Sequence, residues 1–263
     1  MNILVCIKRV PDTAENEIDV NSDGNDIERD DLVYSINEWD NYAVEEAVRI
    51  KEKFGGNVTV ITVGDDDSEE VIRREMAMGA DNGVLINDLS YKNSDGRGIS
   101  LILKSFIEKK EFDLILTGAM GDEGAGQIGG MVAAMLDIPY ASLVNNIEFV
   151  NEKKIIVGRE IEGGNQEINE LALPCVLSIQ TGINEPRYVG IRGIRKVASL
   201  EIPTISSEDL KIDKDKVGSL GSNVKKINYF IPKLGEGAEI LEGSNEEISA
   251  KIIELLKANG GLK

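Results

Sequence analysis

The chain has 263 residues, enough for one large α/β domain or for a domain with a substantial arm. Its 29 Lys+Arg against 47 Asp+Glu give a formal net charge of −18, which disfavours nucleic acid and anionic membrane surfaces as partners because both are polyanions. Histidine is absent, so every mechanism that needs imidazole as a base, a nucleophile activator or a metal ligand is excluded within this chain.

The cysteines favour a reducing compartment, and the hydropathy pattern favours a protein outside the membrane. Cys6 and Cys175 each lie in an apolar run and offer no metal-ligand spacing. No run of 18 apolar residues occurs, and the start of the chain shows no apolar leader with a cleavage signal. We therefore expect a cytoplasmic location, no membrane insertion and no metal site.

Strand-like and helix-like segments alternate through the first half of the chain. The predicted strands are 3–7, 58–63, 84–86 and 112–116, and the predicted helices are 40–53, 68–78, 99–110 and 131–136. Asp40 and Ser68 stand where N-cap residues are expected, and a polar loop is expected from about 12 to 31. This alternation predicts an α/β fold with a doubly wound, mostly parallel sheet and helices on both faces. The ligand crevice would lie at the carboxyl ends of the strands.

After Pro139 the pattern changes. Residues 147–150, 153–159 and 166–173 predict an antiparallel hairpin region (about 147–172) with a turn at Gly163-Gly164, and 176–179 predicts a return to the main sheet. From about residue 201 the sequence becomes charged and loop-rich, and it ends in a predicted helix at 246–258. This C-terminal arm either packs on its own domain or reaches around a partner.

The glycine-rich stretch 117–130 lies between a predicted buried strand and an apolar helix. Its six glycines let the backbone approach a ligand and aim free N–H groups at it, and the positive end of the helix dipole favours an anion. The stretch predicts a phosphate or pyrophosphate cradle, although an ordinary flexible loop has the same composition. No Walker Lys-Ser/Thr follows and the spacing is not GxGxxG, so neither a P-loop nor a standard Rossmann fingerprint is indicated.

Several separated segments together resemble the β subunit of electron transfer flavoprotein, from residue 1 to about 203. The segments are 5–13 (VCIKRVPDT), 36–40 (INEWD), 43–47 (AVEEA), 77–81 (AMGAD), 158–164 (GREIEGG) and 184–188 (NEPRY). The resemblance implies an adenine nucleotide α-hydrolase-like fold. It assigns 1–200 to a nucleotide-binding domain and 201–263 to an arm that packs on a partner α subunit.

The resemblance also implies a nucleotide site without catalytic side chains. Adenine and ribose contacts fall on Cys6, 37–40 and Val63, and phosphate contacts fall on the loop from Gly118 to Ile128. The full set of implied cofactor-binding residues is Cys6, Lys8, Arg9, Asn37, Glu38, Trp39, Asp40, Val63, Gly64, Ser94, Asp95, Gly96, Gly118, Ala119, Met120, Gly121, Asp122, Glu123, Gly124, Ala125, Gly126, Gln127 and Ile128.

Some members of this set carry open alternatives. Lys8 and Arg9 would stabilise a reduced, anionic flavin or form a solvated strand end, and Trp39 would pack on adenine or fill the core. Gly96 replaces the threonine of a Ser-Asp-Thr segment found near the flavin in similar proteins. The loop is shorter than the family's, and both of its acidic side chains, Asp122 and Glu123, would have to point away from phosphate.

The nucleotide is FAD or AMP, and the resemblance of 10–13 and 39–40 to FAD-binding, bifurcating or Fix-type β subunits favours FAD. In that branch the β-bound FAD takes a hydride from NADH. It sends one electron to a low-potential acceptor such as ferredoxin and the other, through the α-subunit FAD, to a dehydrogenase. Lactate-, acyl-CoA- and enoyl-CoA-type flavin-dependent dehydrogenases are all possible partners.

The segment 184–195 resembles the loop by which the family recognises its dehydrogenase. The implied partner-binding residues are Pro186, Arg187, Tyr188 and Ile191, with Ile191 as an apolar anchor beside charged residues. The alternative makes Ile191 and Ile194 core residues of a helix that begins there.

Two further hypotheses compete with the electron-transfer function. A nucleotide-sensing module of the universal-stress type would bind ATP as a homodimer and would need no α subunit. A third hypothesis keeps the fold but leaves the altered glycine loop without a ligand.

Overall fold

The computed structural model of the protein describes residues 1–121, 125–233, 235, 237–238 and 240–262. The chain forms two compact units, one of 1–18 with 28–227 and the other of Asp19–Ile27 with Asn228–Lys263. The predicted functional division into 1–200 and 201–263 stays a prediction.

A nine-stranded sheet forms the centre of the first unit, in the order β11-β5-β4-β1-β6-β10-β7-β8-β9. Neighbouring strands are parallel from β11 to β7, and the pairs β7–β8 and β8–β9 are antiparallel. The strands are β1 (Asn2–Cys6), β2 (Arg9–Pro11), β3 (Tyr34–Ile36), β4 (Asn57–Val63), β5 (Asn82–Ile86), β6 (Leu114–Gly118), β7 (Tyr140–Asn151), β8 (Lys154–Ile161), β9 (Asn165–Ala172), β10 (Cys175–Ile179) and β11 (Thr204–Ile205).

Helices cover both faces of the parallel part of the sheet. The helices are α1 (Glu38–Phe54), α2 (Glu69–Met78), α3 (Gly96–Ile107), α4 (Ile128–Leu136), α5 (Ile191–Val197), α6 (Ser207–Leu210), α7 (Gly218–Gly221) and α8 (Asn245–Ala258). Side chains of β1 alternate between two apolar clusters, because successive residues of a strand point to opposite faces. Ile3 and Val5 pack with α1 and α2, whereas Leu4 and Cys6 pack with α3 and α4.

The predicted fold class is therefore confirmed, including the return of the chain to the main sheet at β10. The predicted hairpin region is also present, and its turn is made by Gly163 and Gly164, both with positive φ. Several short elements were missed. β2 and β3 form a small antiparallel pair at the two ends of the expected polar loop, and β11, α6 and α7 lie in the region expected to be loop-rich.

The predicted helix starts need correction. α1 begins at Glu38, so Asn37 and not Asp40 stands in the N-cap position, and α3 and α4 begin three residues earlier than expected, at Gly96 and Ile128. Ser68 does stand at the N-cap of α2, but its side chain makes no capping hydrogen bond.

The second unit contains the predicted C-terminal helix. α8 begins with a capping box in which Ser244 and Glu247 bond each other's backbone N–H. Elsewhere in this unit, Val20 pairs with Ile27, and the Tyr229 N–H donates to the Gly24 carbonyl at 2.8 Å. No helix in the described parts of the chain is both long and apolar enough to cross a membrane.

Glu75 of α2 is a buried carboxyl group in the apolar layer between α1, α2 and the sheet. Its side chain is 0% exposed, and neither oxygen has a hydrogen-bond partner among the described residues. The nearest cation is the half-exposed Arg74, whose Nε lies 3.9 Å from Glu75 Oε1. Burial raises the pKa of Glu75 to about 8, Arg74 lowers it, and the negative charges of Asp40 and Glu45 raise it further.

This raised pKa predicts a stability that depends on pH. Between about pH 4.5 and 8 the folded protein keeps the Glu75 proton and the unfolded chain does not, so the free energy of unfolding falls as pH rises. Glu75→Gln removes this loss. In urea unfolding, the variant should match the parent near pH 4.5 and exceed it by roughly 2–5 kcal/mol at pH 9. A difference independent of pH would contradict the prediction.

Candidate functional site

The order in which strands are added to the sheet reverses at β1, which lies between β4 on one side and β6 on the other. Strands added on opposite sides of a central strand leave a crevice at their carboxyl ends, and open α/β sheets bind ligands there. In this chain the crevice lies beyond Cys6 of β1 and Gly118 of β6, with Val63 at the end of β4. Three separately predicted site segments thus lie at one edge of the sheet.

Asp40 joins the ends of β1 and β6. One carboxylate oxygen, Oδ2, accepts from the Lys8 N–H at 2.8 Å, and Oδ1 accepts from the Gly118 N–H at 3.0 Å. The residue is buried, and burial raises its pKa to about 7, although hydrogen bonds with Asn37, Gly118 and Lys8 lower it. Its expected role as an N-cap is wrong because the side chain points back to the strands, where two backbone amides use the carboxylate.

Asn37 holds the other side of the crevice. Its backbone N–H donates to the Lys8 carbonyl at 2.9 Å, and its Nδ2 donates to the Met120 carbonyl at 2.9 Å. Its Oδ1 is buried, and no described residue donates to it. An unpartnered buried amide oxygen is costly, so this atom fits an N–H or O–H donor of a ligand.

Gly118 is required by this arrangement. A Cβ at this position would lie 2.4 Å from Asp40 Oδ1 and 2.7 Å from Trp39 Cβ, so any other residue would break the contact between β6 and α1. Farther along the loop, Gly126 has φ +63°, and a Cβ there would lie 2.5 Å from the Ala119 carbonyl oxygen. The loop therefore folds back on its own start.

The rest of the predicted phosphate loop is partly described. Ala119 is buried and donates its N–H to the Ile179 carbonyl, Met120 and Ala125 are exposed, and Gly121 is partly buried. The expectations for Asp122, Glu123 and Gly124 fall outside the described residues.

Two helix N-termini meet beside this loop. α4 begins at Ile128, and Gln127 at its N-cap position makes no side-chain capping bond. α3 begins at Gly96, where a Cβ would lie 3.2 Å from Gln127 Oε1 and 3.8 Å from Ile128 Cδ1. Among the described residues no side chain caps α4, so its N-terminus carries free N–H groups and partial positive charge that favour an anion, whereas the Asp95 carboxylate caps α3.

A buried hydroxyl cluster holds α4 against the sheet. Thr117 Oγ1 lies 2.8 Å from Ser178 Oγ, which lies 3.0 Å from Tyr140 Oη. A Cβ on Gly129 would lie 2.3 Å from Ser178 Oγ, so only glycine lets α4 approach this closely. Sequence analysis did not single out these residues, although Gly129 belongs to the glycine-rich stretch.

Ser94 and Asp95 do not have free polar groups for a ligand. Asp95 caps α3 through the Gly98 N–H at 2.9 Å, and its other oxygen accepts from the Asn223 N–H at 2.7 Å. Burial raises the pKa of Asp95, but these and neighbouring backbone hydrogen bonds hold it below its usual range. Ser94 Oγ accepts from the Gly218 N–H at 2.7 Å. Both side chains thus fix the segment 218–224.

Lys8 and Arg9 follow β1 at the crevice. The Arg9 guanidinium lies 3.7 Å from the centre of the Tyr34 ring, and its Nε lies 3.8 Å from Glu70 Oε2. This partly buried, stacked arrangement is not a solvated strand end, so that alternative is wrong for Arg9. Lys8 is likewise partly buried.

The remaining predicted residues surround the crevice at different depths. Burial raises the pKa of the Cys6 thiol to about 12, which keeps the thiol protonated. Trp39 is partly buried and donates from Nε1 to Gln180 Oε1 at 3.1 Å, whereas Glu38 is exposed. Gly64 is partly buried and donates its N–H to the Ile86 carbonyl at 3.1 Å.

The predicted partner-binding segment contains one residue that is already engaged. Arg187 forms a bidentate ion pair with Glu45, at 2.9 and 3.0 Å, and a second with Glu52, at 2.7 and 3.0 Å. Nearby, Asn184 Nδ2 donates to Glu46 Oε2 at 3.0 Å. These bonds fix the start of the segment on α1.

The apolar residues that follow are exposed. Ile191 begins α5 and is 67% exposed, Ile194 is 51% exposed, and Tyr188 is 93% exposed. A helix does begin at Ile191, but the alternative that Ile191 and Ile194 are core residues is wrong. Pro186 is partly buried beside Arg187.

Comparison with known proteins assigns this fold and crevice to a family. Residues 25–210 match the electron transfer flavoprotein domain. The chain belongs to the electron transfer flavoprotein β-subunit family. It is 34% identical over 260 residues to the electron transfer flavoprotein subunit beta of Methylophilus methylotrophus, covering 97% of this chain and 98% of that one.

Two further relatives match over their full length. The electron transfer flavoprotein subunit beta of Thermoanaerobacterium thermosaccharolyticum is 35% identical, and the caffeyl-CoA reductase-Etf complex subunit CarD of Acetobacterium woodii is 33% identical. Each match covers 98% of both chains. The family predicted from the segments quoted above is confirmed.

Asp40→Asn tests the link between β1 and β6. An amide has one acceptor oxygen, so its NH₂ group would face one of the two backbone N–H donors. At pH 8, where the Asp40 carboxyl is ionised, we expect urea unfolding to show a loss of about 1–3 kcal/mol. Glu38→Gln, an exposed change on the same helical turn, is the matched control and should be neutral. Equal stability of both variants would contradict this role of Asp40.

Proposed function

We propose that this β subunit binds FAD in the crevice at the carboxyl ends of β1 and β6 and serves an electron-bifurcating electron transfer flavoprotein. The observation that carries the proposal is the buried, unpartnered Oδ1 of Asn37 at the edge of a glycine cradle. A hydrogen-bond acceptor of this kind beside the uncapped N-terminus of α4 suits a ligand with a donor at one end and phosphates at the other.

Different residues of the chain would bind different parts of the ligand. Asn37 Oδ1 would accept from the adenosine part, and the N–H groups at the start of α4 would bind phosphate. The crevice continues to the N-terminus of α3, where Gly96 presents backbone in place of a hydroxyl. The resemblance of 10–13 and 39–40 to FAD-binding β subunits is what favours a dinucleotide over AMP.

Bound flavin would supply hydride acceptance and one-electron transfer, which require no side-chain base. The chain's own part is binding and electrostatics. Arg9, held over Tyr34 at the end of β1, and Lys8 next to it would place positive charge beside the ligand. A fixed cation near a group that gains negative charge stabilises its reduced form.

The proposed assembly contains a second chain and exchanges electrons with three partners. We infer a heterodimer with an α subunit that carries another FAD and receives the arm 201–263, in the cytoplasm. NADH would be the donor, and ferredoxin and a flavin-dependent dehydrogenase would be the acceptors. CarD, a full-length relative, is named as part of a caffeyl-CoA reductase complex, which supports a dehydrogenase of the acyl-CoA or enoyl-CoA type over a lactate type.

The test is to identify the nucleotides in the purified heterodimer. Acid extraction should release two FAD per heterodimer, and NADH should reduce flavin in the intact complex. One FAD with one AMP would contradict the FAD proposal and assign the chain to the AMP-binding branch. A homodimer containing ATP would favour the nucleotide-sensing hypothesis, and no nucleotide would favour the hypothesis of an altered loop without a ligand.

A glycine variant locates the nucleotide within the chain. Gly118→Ala should lower the amount of one co-purified nucleotide by about tenfold, because the added Cβ would overlap Asp40 and Trp39. Gly190→Ala is the control, since a Cβ there meets no described atom within 4 Å. Full nucleotide content in Gly118→Ala would place the site elsewhere.

A further inference from the structure

We infer that Arg73 is a positioning residue for partner recognition, because it fixes helix α5 in the place where the exposed Ile191 face can dock. This inference rests on the partner-binding role that the family resemblance implies for the segment 184–195, called here the docking segment. Arg73 lies on α2, far in sequence from the docking segment, and the family resemblance implies no role for it.

The Arg73 guanidinium binds the end of α5. Its Nη1 donates to the carbonyl oxygens of Val197 at 2.7 Å, Leu200 at 3.0 Å and Ala198 at 3.3 Å. The last carbonyls of a helix have no partner within the helix, and a cation there also opposes the negative end of the helix dipole. Arg73 is itself oriented by Glu69, whose Oε1 accepts from Arg73 Nε at 2.7 Å.

Backbone packing brings α5 against α2 as well. A Cβ on Gly193 would lie 2.7 Å from the Ala77 carbonyl oxygen, so the two helices approach as closely as glycine permits. Val197 is buried on this side. Ile191 and Ile194 remain exposed, so α5 is attached through its backbone and one side chain while most of its apolar surface faces solvent.

The docking segment is therefore held at two points. Arg187 fixes its start on α1 through Glu45 and Glu52, and Arg73 fixes its end on α2. Ordering a recognition segment before the partner arrives lowers the entropy cost of binding. Two arginines beside the docking segment thus serve contacts within the chain.

Arg73 should affect docking more than electron transfer itself. Without its guanidinium, the Ala198 and Leu200 carbonyls lose this donor and the Val197 carbonyl keeps the Leu200 N–H, so α5 is held less firmly through Gly193 and Val197. The helix would then have to be ordered each time a partner binds. The KM for the partner dehydrogenase should rise, and kcat should change little because no reacting group is altered.

The experiment uses the purified heterodimer, with butyryl-CoA dehydrogenase and crotonyl-CoA as the probe acceptor. Arg73→Ala should raise the KM for the dehydrogenase by about tenfold and leave kcat and the reduction of a small dye within about twofold. Amide hydrogen exchange across 193–200 should become about tenfold faster. Arg73→Lys keeps the positive charge but has a shorter side chain and loses the planar fork that also binds Glu69, so it should lie between Arg73→Ala and the parent.

Two controls make the result specific. Lys104→Ala removes a comparable i,i+4 ion pair, with Glu108 on α3, and should leave KM and exchange unchanged. Glu69→Gln removes the ion pair of Arg73 but keeps its three carbonyl bonds, so its effect should be small.

The outcomes separate this inference from the proposed function. If Ile191→Ala raises KM and Arg73→Ala does not, or if exchange across 193–200 in Arg73→Ala equals that of the parent, the inference is overturned. If Ile191→Ala leaves KM unchanged, the docking role proposed for the segment fails. In that case the exchange measurement alone decides whether Arg73 fixes α5.

Discussion

The buried carboxylate of Asp40 is the contact on which the crevice depends. It accepts one backbone N–H just past the end of β1 and another from the end of β6, so a single side chain of α1 links the two strand ends that border the site. The absence of a side chain at Gly118 makes this contact possible. A carboxylate used in this way organises the site without being available as a ligand or a base.

Charged side chains are also used for contacts within the chain at the surface that we propose for partner docking. Arg187 and Arg73 bind Glu45, Glu52 and the carbonyls at the end of α5. Tyr188 and Ile191 remain exposed, together with the charged side chains of Arg192, Arg195 and Lys196 on α5. Redox chemistry and recognition would then occur on different edges of one fold, with the protein acting by position and charge rather than through reactive side chains.

Much of the fold could be predicted from sequence because the buried strands are compact apolar runs and the longer helices repeat apolar residues at helical spacing. The residues that were misjudged share a physical reason. Asp40 has the composition and position of a cap, but tertiary burial turned its carboxylate toward two strand ends. Ser94, Asp95 and Arg187 also bond segments distant in sequence, which the sequence did not indicate, and their ligand and partner roles stay predictions. Long-range pairing of this kind leaves no local pattern in a single sequence.

The missed elements follow the same logic. β2 and β3 have three residues each, too few for an alternation pattern, and they are separated by a long polar segment.

A crystal structure of the heterodimer tests the central claim most directly. The account predicts density for an adenine dinucleotide in the crevice, with its adenosine part against Asn37 and its phosphates at the start of α4. A dinucleotide bound elsewhere, with Asp40 released from Lys8 and Gly118, would contradict it.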